Sequence, residues 1–99
     1  DENRRDLLAA VKAIGLGNGT NIFDALETAF ADPEVDTIYL LTDGDPTVGK
    51  LIAPDDILEE VRRWNRSRQI VIHCIGLGID SQLLARLAAD SGGAYKYVK

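Results

Sequence analysis

The sequence predicts an α/β fold: a parallel sheet with helices on both faces, about three strands and four helices in all. Two observations carry this expectation. Short apolar runs rich in β-branched residues, Thr37–Thr42 and residues 70–75, alternate with longer stretches whose apolar residues recur at helical spacing. The segments between the strands are long enough to be helical crossovers, which join parallel strands with a right-handed turn. Length and composition agree. Ninety-nine residues make one domain at most, with 45% hydrophobic and 27% charged residues, as in ordinary globular chains.

Leu7, Leu8, Val11 and Ile14 recur at helical spacing, so a first helix is expected there, stopped by Gly15. Residues 15–20 read as a glycine-rich loop. A second helix is expected over Ile22–Ala31, with Leu26, Ala29 and Phe30 inward and Asp32-Pro33 at its end. Thr37–Thr42 is short, apolar and β-branched, so it reads as a buried strand. Asp43-Gly44-Asp45-Pro46 breaks it.

Pro54-Asp55-Asp56 opens a third helix, because proline suits the first turn and acids there favour the helix dipole. Ile57, Leu58, Val61 and Trp64 form its apolar stripe, and Arg62, Arg63, Arg66 and Arg68 give it a basic C-terminal half. Residues 70–75 form the second strand, ended by Gly76-Leu77-Gly78. Asp80-Ser81 caps a fourth helix built on Leu83, Leu84, Leu87 and Ala88, which Gly92-Gly93 terminates. Residues 94–98 close the sheet as an edge strand blunted by Lys96.

Composition excludes several function classes. The formal net charge of −5 disfavours nucleic-acid backbones and anionic lipid as partners. No apolar run reaches the roughly 20 residues of a membrane helix, and the charged first residues have no signal-peptide core behind them. The single cysteine excludes an internal disulfide and leaves the compartment open. His73 and Cys74 are neighbours on a strand, so they face opposite sides and cannot share one ion. Cys74 reads as a small buried residue, His73 as a packed histidine and Trp64 as core. Gly76-Leu77-Gly78 falls short of a dinucleotide fingerprint.

Ligands of parallel sheets bind beyond the carboxyl ends of the strands, which directs attention to the loop at Asp43. Asp43 and Asp45 are carboxylates one residue apart, and hard cations such as magnesium take oxygen from carboxylates, hydroxyls and water. The same four residues are also ordinary turn formers. Gly19-Thr20-Asn21 precedes a helix, where Thr20 or Asn21 can cap and Asp24 favours the helix end.

Together these stretches resemble the von Willebrand factor A domain family. Gly19-Thr20-Asn21-Ile22-Phe23-Asp24-Ala25-Leu26 is similar to the family's Gly-Thr loop and helix. Ile38-Tyr39-Leu40-Leu41-Thr42-Asp43-Gly44 is similar to its strand ending in Thr-Asp-Gly. The strand ending in Gly76-Leu77-Gly78, the helix of Leu83, Leu84 and Leu87, and Ser91-Gly92-Gly93-Ala94-Tyr95 resemble its last elements in the same order. The resemblance implies a Rossmann-like sheet and a single, truncated domain over residues 1–99, the C-terminal half of the family fold.

It also implies a protein-binding function without turnover, through a metal ion-dependent adhesion site. There Thr20 would supply a hydroxyl and Asp43 a carboxylate to Mg or Mn, and an acidic side chain of a protein partner would complete the shell. Asp45 is a candidate for the surrounding acids that tune the metal. The family's first metal segment, Asp-x-Ser-x-Ser, does not occur in these 99 residues, so metal binding is expected to be weak or absent. The family's central strand is missing with it, which leaves one edge of the Thr37–Thr42 strand bare and open to a second chain.

Two alternatives stand beside this. Asp43-Gly44-Asp45-Pro46-Thr47-Val48 also resembles the nucleophile motif of haloacid dehalogenase-like phosphatases, although the later Ser or Thr, lysine and acid pair of that family are not found. The other alternative is a structural domain of the same fold that binds no metal.

Overall fold

The computed structural model describes residues 8–13 and 20–99. Its elements run β1 (Leu8–Ala13), α1 (Ile22–Ala31), β2 (Thr37–Thr42), α2 (Pro54–Arg68), β3 (Val71–Leu77), α3 (Gln82–Ser91) and β4 (Tyr95–Val98). The four strands form one parallel sheet in the order β1-β2-β3-β4. The parallel α/β architecture is as expected, with four strands and three helices among the described residues in place of three and four.

The difference arises at the start of the chain. Leu8 to Ala13 form a strand where helical spacing predicts a helix, and they pair along the whole of β2, from Leu8↔Thr37 to Ala13↔Thr42. Leu7, Ile14 and the loop expected to follow them lie outside the described residues. Leu-Ala-Ala-Val-Lys-Ala is a good helix sequence, but propensity is worth only fractions of a kcal/mol per residue. A buried strand with an empty edge leaves a row of amides and carbonyls without partners, a larger penalty. The edge of β2 expected to be bare is therefore occupied.

The helices begin and end where side-chain chemistry directs them. Asn21 caps α1, its Oδ1 accepting from the Asp24 amide at 3.0 Å. Pro54 sits in the first turn of α2, and Ser81 Oγ caps α3 by accepting from the Leu84 amide. After α2, Gln69 takes a left-handed conformation (φ 54), and Asn65 clamps the turn into β3 with bonds to both the amide and the carbonyl of Ile70. Arg68 folds back onto the carbonyls of Phe30, Asp32 and Val35, so it caps the C-terminal end of α1 rather than of its own helix.

Burial alternates strictly along the two central strands. Ile38, Leu40 and Thr42 of β2 and Ile72 and Cys74 of β3 are sealed, while Tyr39, Leu41, His73 and Ile75 between them are not. Ile38, Leu40, Ile72 and Cys74 share one core with Leu26 and Phe30 of α1, Leu58 and Val61 of α2, and Leu84 and Leu87 of α3. Trp64 completes it, its ring 5.1 Å from Phe23 and 5.3 Å from Phe30. Among the described residues the three helices pack on one face of the sheet. The reason is topological: with strands in sequential order, crossovers of one hand place every helix on the same side.

Cys74 lies on the sealed face and burial pushes its thiol up to about 12, so it is inert at neutral pH. Gly93 lies against the backbone of Ile72 and His73, where a Cβ would overlap the Ile72 carbonyl. Gly93→Ala is therefore expected to push β4 away from β3 and to destabilise the fold by about 2 kcal/mol. Urea unfolding followed by Trp64 fluorescence checks this; an unchanged midpoint would mean that the two segments are not in contact.

Candidate functional site

The loop before α1 and the loop after β2 meet at the carboxyl end of the sheet. Thr20 is buried, and its backbone is tied to the second loop in both directions. Its amide donates to Thr47 Oγ1 at 2.7 Å, and its carbonyl accepts from the amides of Thr47 (2.8 Å) and Val48 (3.2 Å). A Cβ placed on Gly44 would lie 3.2 Å from Thr20 Oγ1, so the residue following Asp43 abuts the threonine hydroxyl. Thr42, at the end of β2, shapes the turn: its hydroxyl donates to the Gly44 carbonyl at 2.8 Å and accepts from the Gly44 amide at 3.2 Å.

Thr20 and the Asp43 loop, brought to attention separately by sequence, are thus adjacent in space. Asp43 is exposed at the rim. Asp45 has a definite partner, because Ser81 Oγ donates to its Oδ1 at 3.0 Å. That bond ties the β2 loop to the N-terminus of α3. From there the network continues: the Ser81 amide donates to Tyr95 Oη at 2.9 Å, and Tyr95 Oη donates to Asp80 Oδ1 at 2.6 Å. The bond to Asp80, with burial, holds the Tyr95 hydroxyl above its ordinary pKa.

Sequence reasoning missed this Ser81–Tyr95–Asp80 chain and the part played by Thr47. Capping residues at 80–81 were visible, but nothing in their spacing pointed to a tyrosine 14 residues away. It also missed how the second loop folds over α1. Gly49 takes a positive φ of 117 and presses on the Asn21 side chain, leaving no room for a Cβ. Beyond it, the Lys50 amide donates to Asp24 Oδ1 at 3.2 Å, and the Lys50 ammonium pairs with Glu27.

Chemically, the rim offers hard oxygen donors: the Thr20 hydroxyl and the Asp43 carboxylate. They suit a small divalent cation in kind but supply only part of a six-oxygen shell. Among the described residues, no three His, Cys, Asp or Glu side chains are grouped closely enough to hold a metal ion. His73 and Cys74 lie on opposite faces, as their adjacency requires. His73 Nδ1 accepts from the Ala94 amide at 3.0 Å, and its ring stacks on Tyr39 at 4.8 Å.

A parallel α/β domain with loops converging beyond the carboxyl ends of its strands has the architecture of a ligand-binding domain of the open-sheet type. Residues 1–97 match the von Willebrand factor type A domain family, and the chain belongs to that family. It is 32% identical over 101 residues to von Willebrand factor A domain-containing protein 3B of Homo sapiens, which covers 98% of this chain and 7% of that protein. It is 37% identical over 103 residues to human inter-alpha-trypsin inhibitor heavy chain H4, covering 90% of this chain and 10% of the relative. With human von Willebrand factor A domain-containing protein 3A the identity is 32% over 80 residues, 77% of this chain and 6% of that protein. The chain spans a tenth or less of the length of these three relatives. Among the described residues no helix is long and apolar enough to cross a membrane.

Asp24 reports on the integrity of the rim. The Asn21 amide bond first, then the Lys50 backbone amide, lower its carboxyl pKa below the usual 3.8. A carboxyl depressed in the folded state contributes stability that is present above its unfolded pKa and lost as pH falls through the folded value. Asn21→Ala is expected to move the Asp24 titration upward toward 3.8. Carboxyl-carbon NMR checks it, and an unmoved titration would show that Asn21 does not hold the group.

Proposed function

We propose that this chain is a protein-binding module that recognises an acidic group on a partner through a divalent cation, with Thr20 and Asp43 as its own metal-facing residues. One observation supports the reading above the others: Thr20 Oγ1 lies 3.2 Å from the position a Cβ would take on Gly44. Two loops whose touching residues, Thr20 and Gly44, are 24 apart in sequence therefore meet at the rim, with oxygen donors of the kind magnesium and manganese prefer. In this reading Thr20 contributes a hydroxyl and Asp43 a carboxylate, directly or through water. Asp45, held by Ser81, adds negative charge nearby without joining the shell.

With the family's Asp-x-Ser-x-Ser segment not present in these 99 residues, binding to the chain is expected to be weak. Calorimetric titration with manganese is expected to give a low-affinity isotherm that Thr20→Ala and Asp43→Ala each abolish. Tight stoichiometric binding that survives Asp43→Ala would contradict both the site and its weakness.

A second reading rests on the lack of any three-residue metal cluster among the described residues. In it the chain keeps the fold as an interaction surface and uses no metal. Asp43→Ala separates the two, because it removes metal-dependent partner binding and leaves metal-free binding intact. If Asp43→Ala instead abolished turnover of a phosphate monoester, the phosphatase reading would replace both.

A further inference from the structure

The C-terminal half of α2 carries four arginines, Arg62, Arg63, Arg66 and Arg68, and three of them are engaged within the fold. Arg62 Nε donates to Asp90 Oδ2 at 2.7 Å, Arg63 pairs with Glu60 at 2.8 Å, and Arg68 binds the carbonyls at the end of α1. Arg66 is exposed and makes no hydrogen bond or ion pair among the described residues. It lines a cleft of about 260 Å³ between α2 and α3, beside the start of β3 and so at the end of the sheet opposite the Asp43 rim. Leu58 and Val61 of α2, Ile72 of β3 and Leu87 of α3 give the cleft an apolar floor. Most of its polar groups are committed. Asn65 bonds both backbone groups of Ile70, Ser91 bonds those of Ile72, and Asp90 holds Arg62. Besides Arg66, that leaves Gln69, whose side-chain amide has no partner among the described residues. Gln69 ends α2 in the left-handed conformation (φ 54) that glycine adopts at less cost, and there it adds an amide donor to the cleft.

We propose that this cleft is a metal-independent docking site for a partner protein, taking one aromatic side chain with a carboxylate beside it. The ring enters the cleft, and Arg66 and Gln69 bind the carboxylate. Size favours a single side chain. Pockets for whole drug-sized ligands run to about 300–1,000 Å³, whereas an apolar cavity of about 150 Å³ already admits benzene. At about 260 Å³ the cleft accommodates one aromatic anchor of the kind that dominates protein interfaces. Charge then selects the neighbouring group. With Asp90 engaged by Arg62, the cleft keeps one guanidinium over, in a chain whose formal net charge is −5. A guanidinium fork meets a carboxylate with two parallel bonds. A second copy of this chain does not fit the description among its described residues. Phe23, which precedes Asp24, is buried in the core, and the exposed Tyr39 and Tyr97 have no acidic neighbour in sequence. The site draws on residues 58–91 alone and uses neither Thr20 nor Asp43.

The test uses three short peptides with blocked ends, centred on Asp-Phe-Asp, Lys-Phe-Lys or Asp-Ala-Asp and otherwise identical. Each is titrated into the 99-residue chain by NMR in the presence of a chelator, so failure here leaves the metal reading at Asp43 untouched. The Asp-Phe-Asp peptide is expected to bind about fivefold more tightly than either of the others. It is also expected to shift the methyl signals of Val61, Ile72 and Leu87. In Arg66→Glu the preference between the aspartate and lysine peptides inverts; Arg66 is exposed, so the fold is retained. Binding of none of the peptides, equal affinity for all three, an unchanged preference in Arg66→Glu, or shifts that fall outside the cleft would overturn the proposal. So would 3-phenylpropionate binding as tightly as the Asp-Phe-Asp peptide, which would make the cleft a site for a small amphipathic acid.

Discussion

Sequential strand order joined by crossovers of one hand is the constraint on which the rest of this structure depends. Once β1, β2, β3 and β4 lie side by side in chain order, right-handed connections leave α1, α2 and α3 no choice but the same face. Everything buried then collects on that side: Ile38, Leu40, Ile72 and Cys74 below, the leucine stripes of the helices above. The same constraint sends every loop after a strand to one end of the sheet. The convergence of these loops at one rim is a consequence of that topology.

At the rim, backbone bonding does what a larger domain does with bulk. Three hydrogen bonds to Thr47 and Val48 fix the Thr20 backbone against the loop that follows β2. Asp45 anchors the other side of that turn to the cap of α3. Through Tyr95, whose hydroxyl bridges the Ser81 amide and Asp80, the rim is linked to the last strand. Few of these groups are deeply buried, and their strength lies in mutual satisfaction rather than in any one bond.

Much of this was legible in the sequence. The bounds of α1 and β2 follow directly from apolar periodicity and from the breakers that flank them, and the caps at Asn21 and Ser81 from residue type. Thr20 and the Asp43 loop were each visible as candidates; their contact was expected only through the family resemblance and rests on Thr47, which no pattern marked. Leu8 to Ala13 misled because local spacing reports what a segment prefers alone, and here the open edge of β2 decides. That the three described helices share one face was missed for a related reason. Parallel sheets usually bury both faces, and Leu41, Val71 and Ile75 are as apolar as strands buried on both sides require. Only the strand order reveals that the three described helices all pack on the other face.

That one-sidedness is open to direct measurement. An inert paramagnetic agent dissolved with the chain broadens methyl signals in proportion to their exposure. Leu41, Ile75 and Leu77, which are half-buried, should broaden more than Ile38, Leu40 and Ile72, their sealed neighbours along the same strands. Equal protection of both sets would mean that the sheet is covered on both faces, and the account built on its single covered face would be wrong.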